Sequence, residues 1–487
     1  MFNHSYLNRA AACLAVLFVT GCSLAPTYKQ PAAPIPAAWP QAPETPQPSS
    51  APSLDLDTFV VDARLRSLIG TALANNRDLR QALLNVQAAR AMYGVQRADR
   101  LPTVQAEAGG TRQRLPDGVR APGTPPLQSD YRAGVGLASF ELDLFGRVRS
   151  LSDAAMEIYL ATEETSRSAT ISLIGEVIRA YLERNGAQER YLIASRTLNA
   201  RLASLKLIEQ RRSLGAAAEL DVQEALGLVQ QVTVERERIE RELRQSGNAL
   251  ALLVGVGDIR TLLPDAPSTA SVLVQDLSPG MPSDLLFYRP DIRAAEHQLK
   301  ARNANIGAAR AAFFPRISLT GMFGSSSVEL SDLFASGQRA WSFTPQLTLP
   351  IFDVGRNRAN LDLAQVRKNI AVAVYERAIQ SAFRDVSDAL AATDTLKREE
   401  AAQAVLSRSS SETLRLSELR YKSGTDDYLR YLDAQRNDLA NQMAMIQVRT
   451  ERQVALAGLY RALGGGWSTR VQDGRGAPEG EPALGMR

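Results

Sequence analysis

Hydrophobic positions recur along this chain with two different periods, and the places where the period changes divide it into elements. After Pro102, Val104, Ala106 and Ala108 alternate with Thr103, Gln105 and Glu107. After Pro315, Ile317, Leu319, Gly321 and Phe323 alternate with Arg316, Ser318 and Thr320. Trp341, Phe343, Leu347, Leu349 and Ile351 alternate with Ser342, Thr344, Gln346 and Thr348. In a fourth segment Tyr131, Ala133, Val135 and Leu137 alternate until the apolar phase slips at Ser139, to Phe140, Leu142 and Leu144. Such alternation predicts strands with one apolar and one polar face. Each is about ten residues long, enough for a tilted transmembrane β-strand. The polar faces, mainly Ser, Thr and Gln, suit a wet lumen. A pair of hairpins on a soluble core is the competing reading.

The longer period occupies the rest. Residues 127–263 and 351–477 contain no proline and are rich in Ala, Leu, Arg, Glu and Gln, which favour helix. In the first tract Val222, Val229, Leu243 and Leu250 share one heptad position, and Ala225, Val232, Ile239 and Leu253 another, with Arg236 and Ser246 as polar breaks. This is a coiled-coil seam, although core helices of a soluble bundle would show it too. Length separates the two: from Gly146 to about Leu214, and again from Gly355 to about Ser423, the pattern continues for roughly 100 Å at helical rise, further than globular helices usually run.

The chain also repeats itself. Asp78 to Pro102 aligns with Asp291 to Pro315 at an offset of 213, with nine of 25 positions identical, among them Gly94/Gly307 and Arg97/Arg310. At an offset of 209, Gly146-Arg147 pairs with Gly355-Arg356, Arg211 with Arg420, Gly215 with Gly424, Leu220 with Leu429, and Gly255 with Gly464. A duplicated unit explains both. The expected organisation is a first repeat over 57–255 (helix, two strands, long helical hairpin), a linker over 256–282, a second repeat over 283–467 and a flexible tail over 468–487. The fold class is mostly α with a membrane β-barrel part, four strands per subunit. Four strands cannot close a barrel, and an open edge in lipid leaves backbone groups unsatisfied. Strands must therefore be pooled between two, three or four subunits, and the pattern does not choose among these.

The N-terminus bears on location. Ala10 to Val19 is a short apolar run after Arg9, followed by Val19-Thr20-Gly21-Cys22, the pattern of a bacterial lipobox. Residues 1–21 read as an export signal and Cys22 as the site of lipid attachment; an ordinary secretory signal with an incidental Cys is the alternative. In the lipoproteins this signal resembles, an Asp after the cysteine favours retention at the inner membrane, so Ser23 points to the outer one. Residues 22–56 form a tether, 26–52 holding nine of the 24 prolines, which makes it extended and semi-rigid. The mature chain keeps one Cys and one His, His297, so a disulfide, a Cys/His zinc site and a Ser-His-Asp triad all fall away, and His297, matched by Leu84 in the other repeat, reads as a satisfied core or interface histidine. None of the six Lys follows Gly, which excludes a Walker phosphate loop. The formal net charge of +4 comes without basic blocks, which argues against nucleic-acid binding. No metal and no cofactor beyond the lipid is expected, and the protein is read as no enzyme.

Four motifs carry a resemblance: Arg289-Pro-Asp-Ile-Arg-Ala-Ala-Glu296, Ala311-Ala-Phe-Phe-Pro-Arg-Ile-Ser-Leu-Thr-Gly321, Tyr421-Lys-Ser-Gly-Thr425 followed by Leu432-Asp-Ala-Gln-Arg436, and Ala462-Leu-Gly-Gly-Gly-Trp467. With them the chain resembles the outer membrane factors, TolC-like trimeric exit ducts, and specifically their lipoprotein branch serving resistance-nodulation-division efflux pumps. The resemblance implies a homotrimer with a twelve-stranded β-barrel above a helical barrel, in the outer membrane with a large periplasmic part. It implies a periplasmic adaptor and an inner-membrane proton-driven pump as partners, and passive export of drugs or other small molecules. The alternatives are a periplasmic coiled-coil lipoprotein scaffold or the exit duct of a protein secretion system. The turns after the long helices are read as an adaptor-contact tip, with Arg211, Gly215, Arg420, Tyr421, Gly424 and Thr425. Glycine suits a helix reversal, and docking there is what the resemblance implies. Leu220 and Glu224, like Leu429 and Asp433, are four residues apart and share a helix face. With Arg436 they are read as a periplasmic gate, because the family's matching Leu, Asp and Arg line its constriction. Ala216-Ala-Ala-Glu219 is blander than the family's usual first tip.

Overall fold

The computed structural model describes residues 23–36, 38–39, 55–264, 271–275, 277 and 280–465. The export signal, Cys22, residues 40–54 of the tether, Trp467 and the C-terminal tail lie outside the described residues. The elements are α1 (Ala63–Asn75), α2 (Arg77–Ala98), β1 (Val104–Arg114), β2 (Leu127–Leu142), α3 (Arg147–Ser213), α4 (Glu219–Val254), α5 (Pro290–Ala311), β3 (Arg316–Ser327), β4 (Arg339–Thr348), α6 (Arg356–Lys422) and α7 (Tyr428–Ala462). The duplication is visible residue by residue. Helices α2 and α5 both have 22 residues, and α3 and α6 both have 67, starting and ending at the offsets of 213 and 209. No described helix is long and apolar enough to cross a membrane, a statement that does not bear on the strands.

All four strands form one antiparallel sheet in the order β1-β2-β3-β4. The register sets apolar residues side by side: Ala106, Val135, Phe323 and Trp341 form one row, and Val104, Leu137, Gly321 and Phe343 the next. Between Leu137 and Phe140 the β2–β3 register shifts, with Ser139 at φ 38°. This β-bulge is the cause of the phase slip in the sequence. One extra residue lets Phe140 and Leu142 rejoin the apolar face opposite Leu319 and Ile317. Midway along the sheet Gly134 faces Gly324. A Cβ on Gly134 would lie 2.6 Å from the Phe323 carbonyl oxygen, so β2 and β3 approach closely only because both residues lack one.

The chain divides into two compact units, each drawing on both repeats. One includes Leu84–Glu163 and Ala294–Glu376, hence the sheet, together with the described N-terminal segment through Ala32. Here the segment lies along α5. Arg310 Nη1 donates to the Leu24 carbonyl at 3.1 Å, Asn303 Nδ2 to that of Pro26 at 2.7 Å, and Tyr28 Oη to Glu296 at 3.2 Å. A Cβ on Gly307 would sit 2.8 Å from Ala25 N, so this glycine makes the room. His297 Nδ1 meets Glu157 at 2.6 Å. At the helical end of the sheet Glu141 accepts from Arg147 at 2.7 and 2.8 Å and pairs with Arg316 at 2.6 Å, linking β2, β3 and α3.

The other unit includes Glu164–Arg293 and the chain from Arg377. Its core joins Phe59, Leu65, Leu68 and Ile69 to Val177, Ile178 and Tyr181 of α3 and Leu250 and Val254 of α4. Phe59 stacks on Tyr460 of α7 with ring centroids 4.0 Å apart. The heptad seam of α4 is buried at Val222, Ala225, Val229, Val232, Ile239 and Leu250, with Leu243 and Leu253 half-buried. The Arg289 motif forms a hub. Its guanidinium donates to Asp291 at 2.9 and 2.6 Å and to the Ala462 carbonyl at 3.1 Å, with Asp385 at 3.4 Å. Burial favours a neutral group there, but the two carboxylates outweigh it and raise the Arg289 pKa.

Candidate functional site

The two long helices reverse at turns of the same build. At the end of α3, Ala216 N bonds the Arg211 carbonyl at 2.8 Å and Gly215 N that of Arg212 at 2.9 Å. At the end of α6, Thr425 N bonds the Arg420 carbonyl and Gly424 N that of Tyr421, both at 3.0 Å. Gly215 and Gly424 have φ of 75° and 73°. A Cβ at either would meet nothing within 4 Å, so the left-handed backbone alone asks for glycine. These turns lie side by side in one unit, because Arg211 Nη1 donates to Tyr421 Oη at 3.0 Å.

Their decoration differs. Thr425 Oγ1 and Ser423 Oγ both reach the Arg420 carbonyl at 3.0 Å, Asp427 caps α7 through Arg430 N at 3.0 Å, and Asp426 sits between Arg420 and Arg430 at 3.3 and 3.4 Å. The first turn has Ala216 to Ala218 instead. It is held by Asp221 accepting from Ala218 N at 2.9 Å and by an Arg212–Glu219 pair at 2.8 Å. Sequence reasoning missed an aromatic cluster at the second turn. Tyr421 lies 5.3 Å from Tyr428 and stacks on Tyr431 at 5.6 Å. Tyr428 also packs on Ile208, Val222 and Ala225 of the other hairpin. Burial, then the neighbouring Tyr421, Tyr431 and Glu224, push its phenol up to about 12. The signal was there to read: three of the chain's 13 tyrosines fall within 421–431.

The two leucines read as part of a gate are exposed on their helices. Leu220 is 66% exposed and Leu429 54%, while Val222, Ala225, Leu432 and Ala434 are buried. Asp433 pairs with Arg436 at 3.2 Å along α7, and Glu224 is half-buried near Tyr428. Two exposed leucines at equivalent positions, each followed four residues later by a carboxylate, give an exposed apolar and acidic surface. Arg201 is a second residue that pattern did not reveal. It is 4% exposed, donates to the Leu228 carbonyl at 2.9 Å, and has no partner for Nε and Nη2 among the described residues.

Long helical hairpins and an open sheet with one apolar face are the parts of an outer-membrane efflux channel, and comparison with known proteins identifies that class. The model of the outer membrane efflux protein family matches residues 68–256 and again 281–465, so the chain belongs to that family, one of channels and not of enzymes. Outer membrane protein OprJ of Pseudomonas aeruginosa is 55% identical over 457 residues, 94% of this chain and 95% of the relative. Solvent efflux pump outer membrane protein SrpC of Pseudomonas putida is 46% identical over 459 residues, 93% and 97% of the two chains. The MtrE outer membrane channel of Neisseria gonorrhoeae, solved in its open state, superposes with a TM-score of 0.82 at 39% identity, covering 91% of this chain and 98% of that one. A coiled-coil scaffold without a pore is set aside by these matches.

Proposed function

We propose that three copies of this chain form the exit duct of a tripartite efflux system that passes drugs or other small apolar molecules from periplasm to exterior. The observation that carries this is the open sheet. Strands β1 and β4 each pair on one side only, and lipid offers their free edges no hydrogen bonds. Joining β4 of one copy to β1 of the next removes every edge, and three copies give twelve strands. The open-state MtrE channel supports a duct that opens and closes. The solvent efflux pump to which SrpC belongs supports small apolar cargo.

In this reading the tip around Gly215 and Gly424 meets a periplasmic adaptor, with Arg211, Arg420, Tyr421 and Thr425 beside it. Leu220, Glu224, Leu429, Asp433 and Arg436 form the resting constriction. A proton-driven inner-membrane pump supplies the energy, and Cys22 carries acyl chains that anchor the chain to the membrane. The decisive experiment reads mass and transport together. Purified protein should run as a trimer that resists SDS until heated, and deleting the chain should sensitise cells to the pump's substrates. A monomer under all conditions, with unchanged susceptibility, overturns the proposal.

A further inference from the structure

The sheet register sorts its charged residues by face. On the polar face, each strand arginine has a carboxylate: Arg132 pairs with Asp130 at 2.5 Å and Arg316 with Glu141 at 2.6 Å. The apolar face carries three arginines, Arg112 and Arg114 on β1 and Arg339 on β4, all exposed. Their face follows from pairing: Arg112 lies opposite Ser129, Arg114 opposite Leu127, and Arg339 opposite Ser325, in step with the Ala106, Val135, Phe323 and Trp341 row. That face has no Asp or Glu on any strand, so a second copy of the sheet brings none either. None of the three forms an ion pair among the described residues. The loop acid Asp117 is taken by Arg120 at 2.6 Å, while Glu329 and Asp332 lie in the other hairpin loop.

Position along the strands matters as much as face. The three arginines stand towards the hairpin loops 115–126 and 328–338, the end away from the helices. In an outer-membrane sheet this is the outer leaflet side. Towards the bilayer centre an aromatic ring stands one row in from the arginines of each edge: Trp341 precedes Arg339 on β4, and Tyr131, opposite Gly110, precedes Arg112. The Tyr131 ring lies over Gly110, whose Cβ would be 2.7 Å from Tyr131 Cδ1. An aromatic ring followed by a cation marks the level where hydrocarbon gives way to headgroups. Arginine facing hydrocarbon is costly, but at headgroup level its planar guanidinium forms paired, charge-assisted bonds to phosphate.

From these observations we infer that Arg112, Arg114 and Arg339 form a binding site for a phosphate-bearing lipid of the outer leaflet, on the lipid-facing rim of the sheet. Because β1 and β4 are opposite edges of one chain, the site is completed where neighbouring copies join, and to that extent it rests on the trimer proposed above. The polar face is neutralised from within and the lipid face is left to be neutralised by lipid.

Native mass spectrometry of the purified full-length protein tests this, with bisphosphorylated lipid A and its dephosphorylated form as probes. Wild type should prefer the phosphorylated lipid by about a hundredfold, the order expected of three arginines at a charged surface. The Arg112→Ser, Arg114→Ser, Arg339→Ser variant should lose the preference, Arg339→Ser alone should lose part of it, and Arg132→Ser, on the other face, should keep it. Millimolar inorganic phosphate should not displace the lipid. Equal binding of the two lipids by wild type, an undiminished preference in the triple variant, or displacement by free phosphate overturns the site. If the triple variant fails to assemble, Arg339→Ser decides. The same spectra count subunits, so a wrong copy number is seen separately from a wrong site.

Discussion

Tyr428 has three surroundings at once: two tyrosine rings, a carboxylate at Glu224 and the apolar patch of the other hairpin. All of them disfavour its phenolate, so its folded pKa, about 12, stands above the unfolded value near 10. A raised pKa contributes stability that is fully present below the unfolded value and is lost as pH climbs through the folded one. Packing at the tip should therefore weaken between about pH 10 and pH 12, and the late-titrating tyrosine absorbance should be smaller in Tyr428→Phe than in wild type. Gly424 is set by backbone alone. Its left-handed φ of 73° makes any side chain cost about 1–2 kcal/mol, yet space is free around it. Gly424→Trp should leave trimers intact on gels while drug susceptibility rises to that of a deletion strain, because the bulk projects where the adaptor is proposed to dock.

At the scale of elements, the sheet shows what a sequence can and cannot say. Alternation located all four strands, and its slip at Ser139 marked the bulge, because the side-chain period of two leaves a trace whenever one residue is inserted. The equal offsets of the repeat placed the two 67-residue helices to within one residue at each end. The seam of α4 was legible for the same reason, since heptad spacing reports burial directly. Three tyrosines within 421–431 hint at the cluster, but which rings stack, and that Arg201 is buried against the Leu228 carbonyl, depend on how the two helices of a hairpin pair, and no local period encodes that. The Gly134–Gly324 contact was hidden likewise. It predicts that Gly324→Val, whose Cβ would fall within the Ala133 carbonyl oxygen, separates β2 from β3. Heat-modifiable oligomers should disappear on gels, whereas Gly109→Val, with nothing within 4 Å, should leave them.

For the whole molecule, the proposed gate and anchor make opposite demands. Exposed carboxylate–arginine ties such as Asp433–Arg436 are worth only about 0–1 kcal/mol each, so a ring of them can yield to an adaptor. Planar-bilayer recordings of the Leu429→Ala, Asp433→Ala double variant should show a larger resting conductance and weaker cation preference than wild type. Cys22→Ala should abolish labelled palmitate incorporation in cells. It should also leave assembled channels in the membrane, because a closed barrel is retained by its own lipid-facing surface. The matched lengths of α3 and α6 carry a further consequence for how such a protein can change over time. Arg211 and Tyr421 meet only because two 67-residue helices reach equally far. Deleting one residue from either would shorten it by about 1.5 Å and swing everything beyond by about 100°. The two helix lengths are therefore coupled, and tolerated insertions should arrive in both repeats together, in steps that restore the helical phase.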